Sequence, residues 1–451
     1  MKSIGIVGSG LVGITLAIGL KERGYNVVVY DKSKDIRTID FSGRSINLAL
    51  SHRGWRTMQQ VGIAKEIEHL AIPMYQREIH KVNQDSEYQP YGLNGESIWA
   101  ISRGDLNKEL VSIAMKKGVK FQFETAVYDV DLENATIYIG ESEAGAWQTI
   151  QHDFVFGADG AYSKIRNRMQ RHSRFDYQQH YLSIGYKELV MPSKDNQGTH
   201  QLAPNSFHIW PRKDFMLIAL ANIDGSFTCT LFMPFEGDIS FENIQTQDEI
   251  VKFFENYFPD ALSLVPNLVD MYQNNPVNSL VTMKCFPWIY KDKVALIGDA
   301  AHAIVPFYGQ GLNAGLEDVY VLLNLLDEEK LLSEDVLKRY QKDRKENGDA
   351  IAELSYRNFE EMSTHTGDKM FLLRKKIEVS FAKKYPSMWL PLYDRVTFSS
   401  NSYAEALKYG DIQRHIMDKI MQMKDIEILW EQAKEEVEQA IVSEIKQIEL
   451  L

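Results

Sequence analysis

The chain has 451 residues, more than one hydrophobic core of ordinary size holds, so two or three domains are expected. Fifty Lys and Arg against 62 Asp and Glu give a net charge of -12; with no dense basic run, that argues against a nucleic-acid partner. Two cysteines, Cys229 and Cys285, cannot build a disulfide framework or a cysteine-based zinc site, and they fit a reducing cytoplasm.

Residues Ser3 to Leu20 carry no charge and superficially resemble a signal peptide or membrane span. Five of those positions are glycine, and the run passes straight into Lys21-Glu22-Arg23-Gly24. A strand, a glycine turn and a buried helix explain that order better. Ser3 to Val7 read as a parallel strand buried on both faces. Leu11 to Arg23 read as a helix with Gly24 where a C-terminal cap glycine belongs, and Val27 to Tyr30 as the second strand. Further on, a helix is expected over Asp105 to Lys117, with strands at Lys120 to Glu124 and Phe154 to Ala158.

From about Phe175 to Met283 the texture changes to short aromatic and β-branched runs: Phe207 to Trp210, Phe215 to Ala221 and Phe227 to Met233. These predict a mostly antiparallel sheet and a second domain. Val294 to Ile297 return to the buried-strand pattern, and Gly311 to Leu326 form a helix. After about Ser333 almost everything reads as helical, and Val437, Ile441, Ile445 and Ile448 mark one apolar helix face. No later stretch is apolar for long enough to span a bilayer.

Gly8-Ser9-Gly10-Leu11-Val12-Gly13 is a G-x-G-x-x-G placed after a strand and opening a helix. Gly8 permits the tight turn, Gly10 lets backbone approach a pyrophosphate, and Gly13 permits close helix–strand packing. Asp31, eighteen residues after Gly13 at the end of the second strand, supplies the acid that accepts from a ribose. The pattern in this context predicts dinucleotide binding. No second complete motif with its own βαβ unit follows, so a nicotinamide cofactor is expected to have no domain of its own. No nucleophile, catalytic triad or metal cluster stands out. A lone His302 beside alanines reads as structural.

Two later segments specify the dinucleotide. Gly157-Ala158-Asp159-Gly160-Ala161-Tyr162-Ser163-Lys164-Ile165-Arg166 follows one strand, and Gly298-Asp299-Ala300-Ala301-His302 follows another, leading into Pro306-Phe307-Tyr308-Gly309-Gln310-Gly311-Leu312-Asn313-Ala314-Gly315. Together with the first motif these resemble the fingerprints of the class A flavoprotein monooxygenases. That resemblance implies FAD, with Asp299 on its ribityl chain and the Asp159 segment serving both FAD and a passing NADPH. Glycines at 309, 311 and 315 also leave backbone bare at a helix start, where N–H groups favour a reduced, anionic flavin.

Gly43 to Gly54 (GRSINLALSHRG), His208-Ile209-Trp210-Pro211-Arg212 and Phe227 to Phe235 (FTCTLFMPF) narrow the resemblance to the kynurenine 3-monooxygenases, from residue 1 to about Phe398. It implies an α/β Rossmann-like FAD-binding domain over 1–70, 100–174 and 286–332. An inserted, mostly antiparallel substrate domain would cover 71–99 and 175–285, and a C-terminal helical region 333–451. It implies a substrate carboxylate held by Arg77, Tyr91, Asn358 and Tyr393, with Pro306, Phe307 and Tyr308 facing the substrate. It adds Ala49, Arg103, Val127 and Lys164 to the FAD contacts, and places backbone of Leu312 and Asn313 near the flavin ring. By composition alone Arg77 would be a surface charge and Tyr91 and Tyr393 core aromatics.

The activity so implied is hydroxylation of L-kynurenine to 3-hydroxy-L-kynurenine with NADPH and O₂, in tryptophan degradation. A flavin C4a-hydroperoxide would be the reagent, with no catalytic side chain required. Eukaryotic members end in a membrane-anchoring segment, whereas Lys424, Asp425, Glu427, Glu431, Lys434, Glu435 and Glu436 interrupt the apolar positions here. A bacterial-type cytoplasmic enzyme is therefore expected, with a homodimer left open. Fold alone does not license a function. Another class A hydroxylase, a flavin reductase and a non-catalytic FAD-binding protein all share the glycine motifs; a substrate panel under NADPH oxidation separates the first, product mass the second and turnover the third.

Overall fold

The computed structural model describes residues 2–39, 47–92, 95–140, 145–364 and 369–449. Ser3–Val7 lies at the centre of a six-stranded sheet because its residues are apolar on both sides. It pairs in parallel with Asn26–Tyr30 on one edge and Phe154–Gly157 on the other. Beyond them lie Lys120–Gln122 on the first side, and Val294–Leu296 followed by an antiparallel Ile289–Tyr290 on the second. The chain thus winds one way from the central strand and then the other, which opens a crevice at the carboxyl ends of the strands. Helix Leu11–Glu22, apolar nearly all round, is buried beneath helix Gly311–Glu329; a Cβ on Gly19 would lie 2.3 Å from Leu323 Cδ1. The charge-free run near the N-terminus is therefore a strand, a turn and a core helix, and no helix among the described residues is long and apolar enough to cross a membrane.

A seven-stranded sheet runs in the order Asn278–Phe286, Asp176–Met191, Phe227–Pro234, Phe215–Ala221, Ser206–Arg212, Gln76–Ile79, Glu87–Pro90. Every pairing is antiparallel except that of Gln76–Ile79 with Ser206–Arg212. The aromatic runs expected to be strands are strands. Three helices that the sequence reading did not separate, Gln247–Tyr257, Pro259–Leu262 and Leu268–Asn274, cover one face through Ile250, Phe253, Phe254 and Tyr272.

A small sheet of Asn47–Leu50, Ile98–Ser102 and Ala71–Met74 brackets strands Gln76–Ile79 and Glu87–Pro90 in sequence, and leads into helix Arg103–Lys116. That helix starts two residues before the expected Asp105, because the Ser102 hydroxyl accepts from Asp105 N at 3.3 Å and caps it. The region after Ser333 is helical, with Glu334–Thr364, Lys369–Lys384, Leu392–Thr397, Tyr403–Met421, Ile426–Gln432 and Lys434–Glu449. Val437, Ile441 and Ile445 are buried against Ile377, Phe381, Trp389 and Ile416, the apolar face read from their spacing.

Candidate active site

The glycine turn sits at the carboxyl end of the central strand. Gly8 has φ +106°, and a Cβ there would lie 2.4 Å from the carbonyl oxygen of Ala158, so only glycine fits. A Cβ on Gly13 would meet Gly8 O at 2.4 Å, which is how the helix approaches the strand so closely. Gly10 differs: its missing side chain would project into open space. That opening faces the helix N-terminus, whose first turn carries no acidic residue. Asp31 closes the other wall, its Oδ2 accepting from Ser9 N and Oγ at 2.7 Å and its Oδ1 from Ser33 N at 2.8 Å.

Leu11 is buried, and Val12 packs under the third motif, 2.7 Å from where a Cβ on Gly315 would stand. Asp159 and Asp299 follow adjacent parallel strands, so both reach the same crevice edge. Asp159 Oδ2 accepts from Lys164 N at 2.7 Å, capping the helix that Lys164 begins, while Oδ1 is buried without a hydrogen-bond partner. Asp299 is exposed at this edge, and its carboxyl is raised by desolvation against the opposing pull of Arg103, which opens helix Arg103–Lys116. Asn313 is fully buried and spends its amide on backbone: Oδ1 accepts from Ser51 N at 2.9 Å, and Nδ2 donates to Ala49 O at 2.8 Å and Gly309 O at 3.0 Å. It therefore fixes strand Asn47–Leu50 against the turn leading into Gly311 and Leu312. Val127 is buried in strand Ala126–Asp131. Of the strings behind the resemblance, residues 43–46 lie outside the described residues.

The second cluster lies where the seven-stranded sheet meets the C-terminal helices. Arg77, on Gln76–Ile79, stands 4.4 Å from the ring centroid of Tyr393 and 5.3 Å from that of Tyr91. The two rings stack at 5.7 Å, Tyr308 stacks on Tyr393 at 5.6 Å, and Phe398 meets both of the first pair edge-on. Arg77 Nε and the Tyr91 hydroxyl are buried without hydrogen-bond partners. Burial pushes the Tyr91 and Tyr308 phenols up, so both stay protonated. Asn358 donates to Phe307 O at 2.7 Å and braces the Pro306–Tyr308 turn; Pro306 is exposed, and Phe307 packs on Phe232 and Phe359.

Sequence reasoning missed two features. Asp394, beside Tyr393, is buried; desolvation, with Glu96 nearby, pushes it up to about 6 against the opposing pull of Arg77. Its only sequence signal was adjacency to Tyr393, since aspartate is ordinarily exposed. Beneath the turn leading into Gly311 lies a buried ion network. His302 Nε2 lies 2.6 Å from Asp318 Oδ2, which also accepts from Gly298 N at 3.0 Å, and Arg344 Nε donates to Asp318 Oδ1 at 2.7 Å. Glu317 accepts from Arg53 at 2.6 Å, Arg56 at 2.7 Å and Arg344 at 3.0 Å.

An open cradle at Gly10, an orphaned Asp159 oxygen and an exposed Asp299 at one crevice edge fit a dinucleotide with a polyol arm. The family model described as FAD binding domain matches residues 1–355. A kynurenine 3-monooxygenase of Christiangramia forsetii is 53% identical over 448 residues, covering 99% of each chain. One of Flavobacterium johnsoniae is 55% identical over 427 residues, covering 95% of each. Among solved structures, the tetrameric form of 2-methyl-3-hydroxypyridine-5-carboxylic acid oxygenase superposes with a TM-score of 0.67 at 21% identity, over 81% of this chain and 94% of that one, which shows a common fold. With identity above one half along nearly the whole chain and the family model over most of it, the chain belongs to the kynurenine 3-monooxygenase family of FAD-dependent monooxygenases.

Proposed function

We propose that the chain hydroxylates L-kynurenine to 3-hydroxy-L-kynurenine, with NADPH as reductant and O₂ as oxygen donor. The observation that carries the substrate is an arginine beside two stacked tyrosines, with the Arg77 Nε atom and the Tyr91 hydroxyl buried and unpartnered. A guanidinium with a buried, unpaired N–H favours an anion, and an aromatic cage with unspent donors suits an aromatic amino acid offering its carboxylate. Arg77 presents a planar fork to that carboxylate, and Tyr91, held protonated by burial, donates beside it. Fixing one end of the substrate sets where its ring lies against the Pro306–Tyr308 turn.

FAD, when bound, supplies the redox and oxygen-transfer chemistry that side chains lack. This chain's residues position it. The Gly10 opening and the helix N-terminus behind it receive the pyrophosphate. Asp31 Oδ2 is filled by its two Ser9 bonds, while Oδ1 takes only Ser33 N and keeps a lone pair for a ribose hydroxyl. Asp299 serves the ribityl arm, and Asn313 sets the distance between Ala49 and the turn from Pro306 to Gln310, the flavin turn. We assign the FAD-binding unit to 1–70, 100–174 and 286–332 and the substrate unit to 71–99 and 175–285. A cytoplasmic setting fits Cys229 and Cys285, both free and buried.

The test is NADPH oxidation by the purified protein with and without L-kynurenine, with product mass read in parallel. Substrate-stimulated oxidation with one oxygen added to kynurenine is the expected result; NADPH consumption that leaves kynurenine unchanged overturns the assignment.

A further inference from the structure

On the opposite face of the strand that carries Arg77, three buried side chains converge: Glu78, His80 and His208. The register places His208 directly across from Glu78, and Tyr88 across from Glu78 on the other side. His80 Nε2 and His208 Nδ1 are 3.0 Å apart; Glu78 Oε2 lies 3.6 Å from His208 Nδ1, and Oε1 lies 3.9 Å from His80 Nε2.

The outer nitrogens decide what the inner ones can do. His208 Nε2 lies 2.8 Å from the carbonyl oxygen of Ala203, which only accepts, so Nε2 carries a hydrogen. His80 Nδ1 lies 3.1 Å from Asp260 Oδ2, which also accepts from Trp210 Nε1 at 2.7 Å. Nδ1 therefore carries a hydrogen too, and Ser86 Oγ, 3.4 Å away, can share it. The Trp210 ring stacks on His80 at 4.0 Å and holds its plane. With each ring's hydrogen placed on its outer nitrogen, both inner nitrogens present lone pairs to each other at contact distance, beside a carboxylate.

That arrangement requires a positive charge at its centre. A proton on His80 Nε2 would satisfy His208 Nδ1, yet leave Glu78 Oε2 facing a nitrogen with no hydrogen to give. The one bond Glu78 accepts among the described residues is from the Tyr88 hydroxyl at 3.3 Å. An ion at the centre serves all three donors. Tetrahedral zinc, with bonds of about 2.0–2.2 Å, sets its donors about 3.3–3.5 Å apart, and the observed separations bracket that range. A histidine ligand whose far nitrogen is tied to a carboxylate or a carbonyl is the usual outer shell of such a site.

We propose that Glu78, His80 and His208 form a site for one divalent cation of the zinc class, with Asp260 and the Ala203 carbonyl orienting the two imidazoles. The sequence suggested no metal, because the donors come from strands far apart in the chain. The ion clamps Gln76–Ile79 to Ser206–Arg212 and so steadies the strand bearing Arg77. Its entry is on the side of Tyr88, whose ring is exposed.

The holoenzyme, stripped with a chelator and titrated with Zn²⁺ alone, is expected to take up about one ion per chain and to melt at a higher temperature when loaded. Asp260→Asn is expected to weaken uptake about 10- to 100-fold, and Glu78→Gln at least as much, with FAD retained. Independently of any variant, wild-type crystals grown with Zn²⁺ should show an anomalous peak among the three donors. Absence of stoichiometric binding, uptake unaffected by both variants, or a peak elsewhere overturns the proposal.

Discussion

Arg77 and Tyr91 are unusual as single residues because each holds a buried polar atom unspent, a state that costs stability unless something else binds there. Removing the charge should cost a charge-assisted pair, about 1.5–3 kcal/mol. Arg77→Ala is therefore expected to lower kcat/KM for L-kynurenine about 10- to 150-fold with FAD still bound, and an unchanged value would remove Arg77 from the site. Tyr91→Phe separates structure from function. It deletes an orphaned hydroxyl, so the melting temperature should hold or rise, while kcat/KM falls about tenfold through a lost hydrogen bond. A parallel fall in both would mean the hydroxyl is structural.

Asp394 adds a pH dependence to the same spot. Burial and Glu96 raise it to about 6, so it is neutral below that pH and ionised above it. Once ionised it competes with the substrate carboxylate for Arg77, and KM is expected to rise as pH increases through about 6. Asp394→Asn should flatten that break in the KM profile. A break that persists in the variant assigns it to another group.

At the scale of elements, the first glycine turn makes a prediction that distinguishes folding from cofactor binding. Gly8→Ala forces a side chain onto a backbone at φ +106° and into the Ala158 carbonyl, so it should impair folding itself. Gly10→Ala meets no protein atom. It should fold normally, with far-ultraviolet dichroism unchanged, yet release FAD on desalting because its methyl group fills the space the pyrophosphate needs. A Gly10→Ala protein that keeps its flavin would show that backbone approach at this turn is not required.

The same elements show how far the sequence could be read. Ser3–Val7, Leu11–Glu22 and Phe215–Ala221 were legible because burial on a parallel strand, a core helix and a sheet each leave a local pattern. The three helices between Gln247 and Asn274 were not, because Phe253, Phe254, Tyr257 and Phe258 look like the aromatic strands around them, and their sheet-covering role is set by tertiary packing. Arg77 and Tyr91 lie on neighbouring parts of one sheet edge, but Tyr308 and Tyr393 arrive from distant segments. That convergence follows from the fold, and resemblance anticipated it where composition could not. Nothing local marked Asp394, whose burial depends on helices folded over it.

At the scale of the whole molecule, the buried network around helix Gly311–Glu329 ties the flavin turn to the C-terminal helices. Arg53, from helix His52–Gln60, bonds Glu317 and also the carbonyls of Val396 and Asn401, while its guanidinium stacks over Tyr403 at 4.0 Å. Tyr403 in turn donates to Gln310 in the flavin turn at 2.9 Å. Burial alone would raise Glu317 and Asp318, but Arg344 with Arg53 and Arg56 around Glu317, and His302 with Arg344 around Asp318, outweigh it and hold both below the usual carboxylate range. Carboxyls depressed by folding contribute stability that is present above their unfolded values and lost as pH falls through the folded ones. Removing Glu317 leaves buried arginines uncompensated, so Glu317→Ala should cost about 3–5 kcal/mol in denaturant unfolding at neutral pH. Acidification should narrow that gap, because the wild type loses the same interaction when Glu317 protonates. Tyr308 and Tyr393 pack in one cluster with Tyr403 and Val396, both held by Arg53, so any Glu317→Ala protein that remains folded should lose FAD affinity and Tyr393 placement together. A variant with normal stability at neutral pH would show that the network is not what joins the C-terminal helices to the flavin turn.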